Sequence, residues 1–299
     1  MKPITKIAIV VSSVAVLTVA FSFLGFTGVL RNSSSSTKYK DWMKGINDET
    51  ALKDINIPGS HDTMALYSIG NLAGQCQSLS LKEQLNLGIR FLDIRLKNDH
   101  DSLIAVHGFV DERDTFENIV ETTESFLEAN PSETIIMSIK EESKASKSKL
   151  SFEEVLKKSI SDKWETGNSI PNKLGDVRGK IVLFSRYQGA TIGIKAFDQW
   201  LDSCSFVMSD NDIYVQDYYK VGDLDKKKEE IDKCFNEDGH ALKINFLSGY
   251  KTSSFPPSYA PSVAKEINPW INKNINNHNK RGIVLYDFVT LKTQEAFFK

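Results

Sequence analysis

The chain begins with a hydrophobic pattern unlike anything that follows it. Ile7 to Leu30 holds no charged residue over 24 positions, after a start that carries Lys2 and Lys6. A helix of about 20 apolar residues spans a bilayer, and a secretory signal usually has a shorter core. Thr18-Val19-Ala20 is a poor small-residue cleavage site, and Phe23 and Phe26 spoil later ones. Residues 1–30 are therefore expected to form a signal peptide or an N-terminal membrane anchor. Residues 31–40, with Ser33 to Ser36, read as a polar linker, and 41–299 as one catalytic domain. Either leader exports that domain, so the expected location is extracellular, secreted or tethered to the membrane.

Beyond residue 41 the pattern changes to short β-rich runs separated by stretches of helical period. Strands are expected at Asp54–Ile57, Gly88–Arg95, Leu103–His107, Thr134–Lys140, Lys180–Arg186, Ile213–Tyr219, Leu242–Leu247 and Gly282–Phe288. Helices are expected at Leu79–Leu87, Thr115–Ala129, Phe152–Ser161, Leu224–Phe235 and Ser262–Ile275. Alternating strands and helices imply a parallel sheet, and eight such units imply an α/β fold of the (β/α)8, TIM-like barrel type. Only Leu96 to Ser102 separate the second and third strands, too few for a helical crossover, so the barrel is expected to be distorted there.

Polar residues gather where such a barrel places its chemistry, at the C-terminal ends of the strands. The first run leads into Pro58-Gly59-Ser60-His61-Asp62 and the second ends in Asp93-Ile94-Arg95. Val106-His107-Gly108, Lys140-Glu141-Glu142, Arg186, Asp217 with Tyr219, and Tyr286-Asp287 end five others. Seven of the eight strands thus bring a titratable or hydrogen-bonding side chain to one rim. Two histidines beside carboxylates suit general acid–base catalysis. Arg95, Lys140 and Arg186 suit an anionic substrate, because a guanidinium can hold two phosphoryl oxygens at once. No Gly-rich nucleotide loop and no G-x-S-x-G elbow is present. The set fits phosphodiester cleavage in which the attacking hydroxyl belongs to the substrate or to water.

Composition narrows this reading without redirecting it. Among 299 residues, Lys and Arg total 37 against 39 for Asp and Glu, so no basic excess points to a nucleic-acid partner. Three cysteines, Cys76, Cys204 and Cys234, are too few and too dispersed for a disulfide framework or a four-ligand zinc site. His100, His240 and His278 are expected in solvated turns and loops. The run Lys226-Lys227-Lys228-Glu229-Glu230 reads as a solvated helix face.

The motifs Ile57-Pro-Gly-Ser-His-Asp62, Gly88-Ile-Arg-Phe-Leu-Asp-Ile-Arg95, Val106-His-Gly108 and Asn130-Pro-Ser-Glu-Thr-Ile-Ile-Met137 resemble bacterial phosphatidylinositol-specific phospholipase C. Asp176-Val-Arg-Gly-Lys-Ile-Val-Leu183, Val215-Gln-Asp217 and Leu285-Tyr-Asp-Phe288 continue the resemblance in the same order, over roughly residues 41–299. The resemblance implies a distorted barrel that cleaves phosphatidylinositol to diacylglycerol and inositol 1,2-cyclic phosphate, with no cofactor and no metal. It implies His61 as general base with Asp287 behind it, and His107 as general acid assisted by Asp62. Arg95 would stabilise charge on the phosphate and Asp93 would orient the cluster. Lys140, Arg186 and Asp217 would bind ring hydroxyls, with Tyr219 rather than Tyr218 stacked on the ring. The implied partners are phosphatidylinositol, with glycosyl-phosphatidylinositol left open, and a membrane surface; a monomer is expected. Met64, Leu66, Tyr67, Ile69, Tyr250, Phe255 and Tyr259 are candidate membrane contacts. The rival readings are a metal-dependent glycerophosphodiester phosphodiesterase and a catalytically silent inositide-binding protein. The first would need a metal ligand where Arg95 stands, and the second would be expected to have lost a histidine or its aspartate.

Overall fold

Runs in which every second residue is apolar and β-branched or aromatic become strands, because alternate side chains leave a strand on opposite faces. The computed structural model describes residues 32–68, 74–251 and 259–299. In chain order the strands are β1 (Ile57–Ser60), β2 (Phe91–Asp99), β3 (Ser102–His107), β4 (Val110–Thr115), β5 (Ile135–Ser146), β6 (Trp164–Glu165), β7 (Ile181–Arg186) and β8 (Ile194–Lys195). They continue as β9 (Ser205–Met208), β10 (Ile213–Gln216), β11 (Lys220–Val221), β12 (Leu242–Phe246), β13 (Tyr250–Lys251) and β14 (Ile283–Tyr286). The helices are α1 (Leu81–Asn86), α2 (Phe116–Ala129), α3 (Phe152–Leu156), α4 (Leu224–Asn236), α5 (Ala260–Asn274) and α6 (Leu291–Phe297). The expected leader at residues 1–30 lies outside the described residues. Among those described, no helix is long and apolar enough to cross a membrane.

The main sheet runs β6-β7-β5-β2-β1-β14-β12-β10-β9. The pairings from β7 through to β10 are all parallel, and β9 joins antiparallel to β10. The sheet curls into a barrel that hydrogen bonds leave open, since no ladder among the described residues joins β8 to β9. Aromatic side chains fill the seam. The Trp200 ring lies 6.3 Å from Phe184 of β7, 5.5 Å from Phe206 of β9 and 5.9 Å from Phe246 of β12.

Two apolar layers follow from the period of two. Ile57, Phe91, Ile136, Val182, Phe184, Val215, Ile244, Phe246, Ile283 and Leu285 fill the interior. The alternate residues, among them Leu92, Ile94, Met137, Leu183 and Val284, pack outward against helix residues such as Phe116, Ile231 and Ile267.

Two strand expectations need correction. The first strand lies at 57–60, not 54–57, because Leu52–Asp54 forms a 3-10 turn. Pro58-Gly59, expected just after the strand, lies inside it: a Cβ on Gly59 would sit 3.0 Å from both Leu285 Cγ and Phe91 Cβ, so only glycine lets these strands approach. The third expected strand is not a parallel barrel strand. β2 extends past the rim, reverses at His100-Asp101, both with positive φ, and returns as β3 antiparallel to itself. This return brings His107 back down to the mouth, although its strand runs opposite to the rest.

The family-like motifs divide between the two ends of the barrel. Arg90 donates to the Glu133 carboxylate at 2.9 Å and to the Leu85, Ile89 and Lys40 carbonyls, with both ions fully buried. Arg178 likewise binds Asp48 and the Met43, Ile46 and Ser132 carbonyls. These charges tie the N-terminal segment to the closed end of the barrel, away from the mouth.

Candidate active site

The side chains at the mouth are those in phase with the barrel interior, two or four residues beyond the last apolar one. Gly59 leads to His61, Phe91 to Asp93 and Arg95, and Ile136 through Ser138 to Lys140. Phe184 leads to Arg186, Val215 to Asp217 and Tyr219, and Leu285 to Asp287. The turn after β1 sets the first of these. Asp62 takes φ +41°, a region that aspartate tolerates better than most residues, and its N–H donates to Asp93 Oδ2 at 3.0 Å. Gln77 Nε2 donates to the His61 and Tyr286 carbonyls, at 2.8 Å each, and its Oε1 accepts from the Val289 N–H at 3.1 Å. That one amide holds β1 and β14 in fixed relation below His61.

The two histidines have opposite surroundings. His61 Nδ1 lies 2.7 Å from Asp287 Oδ1, and its Nε2 lies 2.8 Å from Arg95 Nη2. A guanidinium only donates, so Nε2 carries a lone pair and the ring proton sits on Nδ1, pointing at Asp287. Burial, and after it Arg95, push the ring toward neutrality, but the Asp287 carboxylate with help from Asp93 outweighs them, and the net shift is above the ordinary histidine value. His107 faces acceptors on both sides: Nδ1 donates to the Gly74 carbonyl at 2.5 Å, and Nε2 lies 3.4 Å from Asp62 Oδ2. Such a ring can carry a proton on each nitrogen and deliver one from Nε2. One histidine is arranged to take a proton and the other to give one.

Arg95 ties the two halves together. It reaches Asp93 Oδ2 at 3.1 Å, Asp62 Oδ2 at 3.4 Å and Glu142 Oε1 at 3.8 Å. Burial works against its charge, yet these three carboxylates hold its pKa well above the usual arginine value. Burial would also neutralise Asp93, but Arg95 and Arg186 keep it ionised far below the ordinary carboxylate range. A second row of polar groups flanks this cluster. Arg186 Nη1 lies 3.1 Å from Asp93 Oδ1, and its guanidinium stacks 3.6 Å from the Trp200 ring centroid. Trp200 Nε1 donates to Asp217 Oδ2 at 3.0 Å, and Lys140 Nζ meets Glu142 Oε2 at 2.6 Å. Tyr219 hydrogen-bonds Asp202, whereas Tyr218 turns toward α4, its hydroxyl accepting from Gly222 N–H.

A base hydrogen-bonded to a fixed cation, with an acid joined to that cation through Asp62, can open a phosphodiester by in-line displacement. The phosphatidylinositol-specific phospholipase C X-domain model matches residues 52–187. A protein of Staphylococcus aureus strain Newman named 1-phosphatidylinositol phosphodiesterase is 31% identical over 291 residues, covering 86% of this chain and 90% of that protein. A protein of the same name from Listeria monocytogenes is 29% identical over 301 residues, covering 94% of this chain and 90% of its own. The solved structure of the F249X mutant of phosphatidylinositol-specific phospholipase C from S. aureus superposes with a TM-score of 0.76 at 27% identity, over 87% of this chain and 98% of that one. This chain belongs to the bacterial phosphatidylinositol-specific phospholipase C family.

The family fold of this chain brings all ten expected residues to one mouth: His61, His107, Arg95, Asp287, Asp62 and Asp93 at its centre, Lys140, Arg186, Asp217 and Tyr219 beside them. Sequence reasoning passed over others. Glu142 bridges Arg95 and Lys140, Trp200 links Arg186 to Asp217, and Gln77 braces His61. Ser248 is in phase beyond Phe246 and buries a hydroxyl without a hydrogen-bond partner. The expected solvated run at 226–230 is corrected at one position. Lys227 is fully buried on α4, donating to Gln216 Oε1, the Tyr218 carbonyl and the Phe246 carbonyl, and burial pushes its pKa down to about 7. Its spacing from Ile231, Cys234 and Phe235 is that of a buried helix face, a signal masked by the neighbouring charges. His240 and His278 are only partly solvated, the first paired with Asp212 and the second stacked 4.6 Å from Phe235.

Proposed function

We propose that this phospholipase C cleaves phosphatidylinositol into diacylglycerol and inositol 1,2-cyclic phosphate, with His61 as base, His107 as acid and Arg95 in place of a metal ion. His61 Nε2 takes the proton of the inositol 2-hydroxyl, whose oxygen attacks phosphorus as the bond to the diacylglycerol oxygen breaks. His107 Nε2 gives its proton to that leaving oxygen. Asp287 stabilises the imidazolium that forms on His61, and Arg95 leaves Nε2 to follow the negative charge growing on the phosphoryl oxygens. The single observation that carries this reading is the contrast between the two rings, one facing a donor and the other two acceptors. Lys140, Arg186, Asp217 and Tyr219 are assigned to the inositol ring, charged groups to its hydroxyls and the tyrosine to its apolar face. The metal-dependent rival is disfavoured because Arg95 already neutralises Asp62 and Asp93, the carboxylates a hard cation would need. The assay is release of diacylglycerol from phosphatidylinositol vesicles, with phosphatidylcholine vesicles left intact; equal cleavage of both would defeat the inositol assignment.

The base assignment has a pH signature. Loss of activity toward acid follows protonation of His61, and Asp287 raises the pH at which that occurs, against the opposing effects of burial and Arg95. In Asp287→Asn only Asp93 is left to oppose burial and Arg95, so the acid limb of kcat/KM should move below its wild-type position as maximal rate falls. An unmoved limb would remove His61 as the titrating base.

The membrane-facing expectations change with the structure. Met64 and Leu66 are buried, Tyr67 and Tyr250 are half-buried, Tyr259 is exposed, and Ile69 and Phe255 lie outside the described residues. The most exposed large apolar side chain among the described residues is Phe109, 86% exposed at the β3–β4 turn two residues past His107. Burying a phenylalanine is worth about 1.5–3 kcal/mol. Phe109→Ser is therefore expected to weaken binding to phosphatidylinositol vesicles roughly tenfold or more, with the rate on a water-soluble substrate unchanged. Sedimentation with vesicles measures it, and an unchanged bound fraction would exclude Phe109 as an anchor. The proposed site of action is the outer face of a membrane, with the chain secreted or tethered there.

A further inference from the structure

Cys76 stands beside the catalytic histidines yet has no part in the mechanism above. Its Sγ, Asp62 and His107 each bring one ligand atom within 4.8 Å of the others, and Cys76 and Asp62 are almost completely buried. Asp62 Oδ2 lacks a hydrogen-bond partner although its residue is only 1% exposed. The 3.4 Å between Asp62 Oδ2 and His107 Nε2 is close to the roughly 3.3 Å that two ligands about 2.0–2.1 Å from a tetrahedral zinc ion subtend. His107 is also oriented as a metal-bound histidine is, its far nitrogen donating to a backbone carbonyl and its near nitrogen turned to the other ligands.

We propose that Asp62, Cys76 and His107 form an inhibitory site for a thiophilic divalent cation such as zinc. This rests on the reading of His107 as the acid: the cation occupies the nitrogen from which His107 would give its proton. Binding displaces two protons, one from the Cys76 thiol and one from His107 Nε2, and leaves a thiolate, a neutral imidazole and a carboxylate on the metal. With its acid occupied, the enzyme cannot protonate the leaving oxygen. Selectivity follows from the ligands. Calcium and magnesium prefer oxygen and gain nothing from sulfur, whereas zinc gains a thiolate and an imidazole. Arg95, 3.4 Å from the same Asp62 oxygen, opposes any cation there, so the site favours a metal that binds sulfur strongly. The neighbouring trio of His61, Cys76 and Asp287 is the weaker candidate, because the facing atoms of His61 and Asp287 already satisfy each other at 2.7 Å. The ring of His107, 27% exposed, gives the ion its route in from the mouth.

The test begins with cobalt(II) as a spectroscopic substitute for zinc on the purified full chain. A thiolate-to-cobalt charge-transfer band is expected in the wild type and absent in Cys76→Ala. Zinc should then abolish phosphatidylinositol cleavage, and a chelator restore it. Cys76→Ala and Cys76→Thr should keep basal activity and need at least about tenfold more zinc for half inhibition. Absence of the cobalt band from the wild type, or equal zinc sensitivity of the wild type and both variants, would overturn the site. The band is read without turnover, so a chain that failed to cleave phosphatidylinositol would refute the activity while leaving the metal site to be judged by itself.

Discussion

Alanine at His61 or at His107 is expected to lower phosphatidylinositol turnover by about 10²–10⁴-fold, each with the fold intact. The two positions act in one proton circuit, so the double variant should lose far less than the product of the single losses. The reason is geometric. Without His61 the 2-hydroxyl has no acceptor on its side of the mouth, since Asp287 lies behind the ring, 2.7 Å from Nδ1. Without His107 the leaving alkoxide faces Asp62, a carboxylate paired with Arg95 at 3.4 Å. The variants should also separate by leaving group. A substrate whose leaving group departs without protonation should restore much of the His107→Ala rate and none of the His61→Ala rate. Equal rescue of both, or near wild-type turnover in either, would reverse or remove the assignments.

Arg95→Lys is the second large effect, about 10²–10³-fold in kcat. Lysine keeps the charge but offers a compact ammonium in place of a planar fork. In the free protein that fork contacts His61, Asp93 and Asp62 at once, at 2.8, 3.1 and 3.4 Å. An ammonium on a more flexible stem cannot make the three contacts and then swing two parallel donors onto a phosphoryl group. Because the lost contact strengthens as charge develops, kcat should fall much more than KM rises. A variant that changed KM alone would make Arg95 a ground-state binding residue.

Much of this site was legible because the barrel turns a period of two into a place. His61, Asp93, Arg95, Lys140, Arg186, Asp217 and Asp287 all continue the phase of the inward apolar residues on their own strands, so the polar ends of those runs converge. His107 is expected at the rim as the end of a parallel strand, whereas the structure delivers it on an antiparallel return strand that the short Leu96–Ser102 spacing only hints at. What stayed hidden was carried by irregular backbone. Trp200 lies in a loop between two short strands with no period to read, although it seals the barrel seam and orders Arg186 and Asp217. Cys76 and Gln77 lie in the stretch before α1, where nothing in the spacing reveals that the chain passes beneath His61. Glu142 was in view beside Lys140, but its part depends on Arg95 from the adjacent strand, a pairing that only register discloses.

Phosphorus NMR of the products released from phosphatidylinositol in excess EDTA tests the central claim most directly. With His61 as base for the 2-hydroxyl and Arg95 as the fixed cation, the first product should be the five-membered cyclic phosphodiester, formed at full rate in chelator and no faster with added calcium. No turnover in EDTA with recovery on calcium, or an acyclic inositol monophosphate as the first product, would contradict the account.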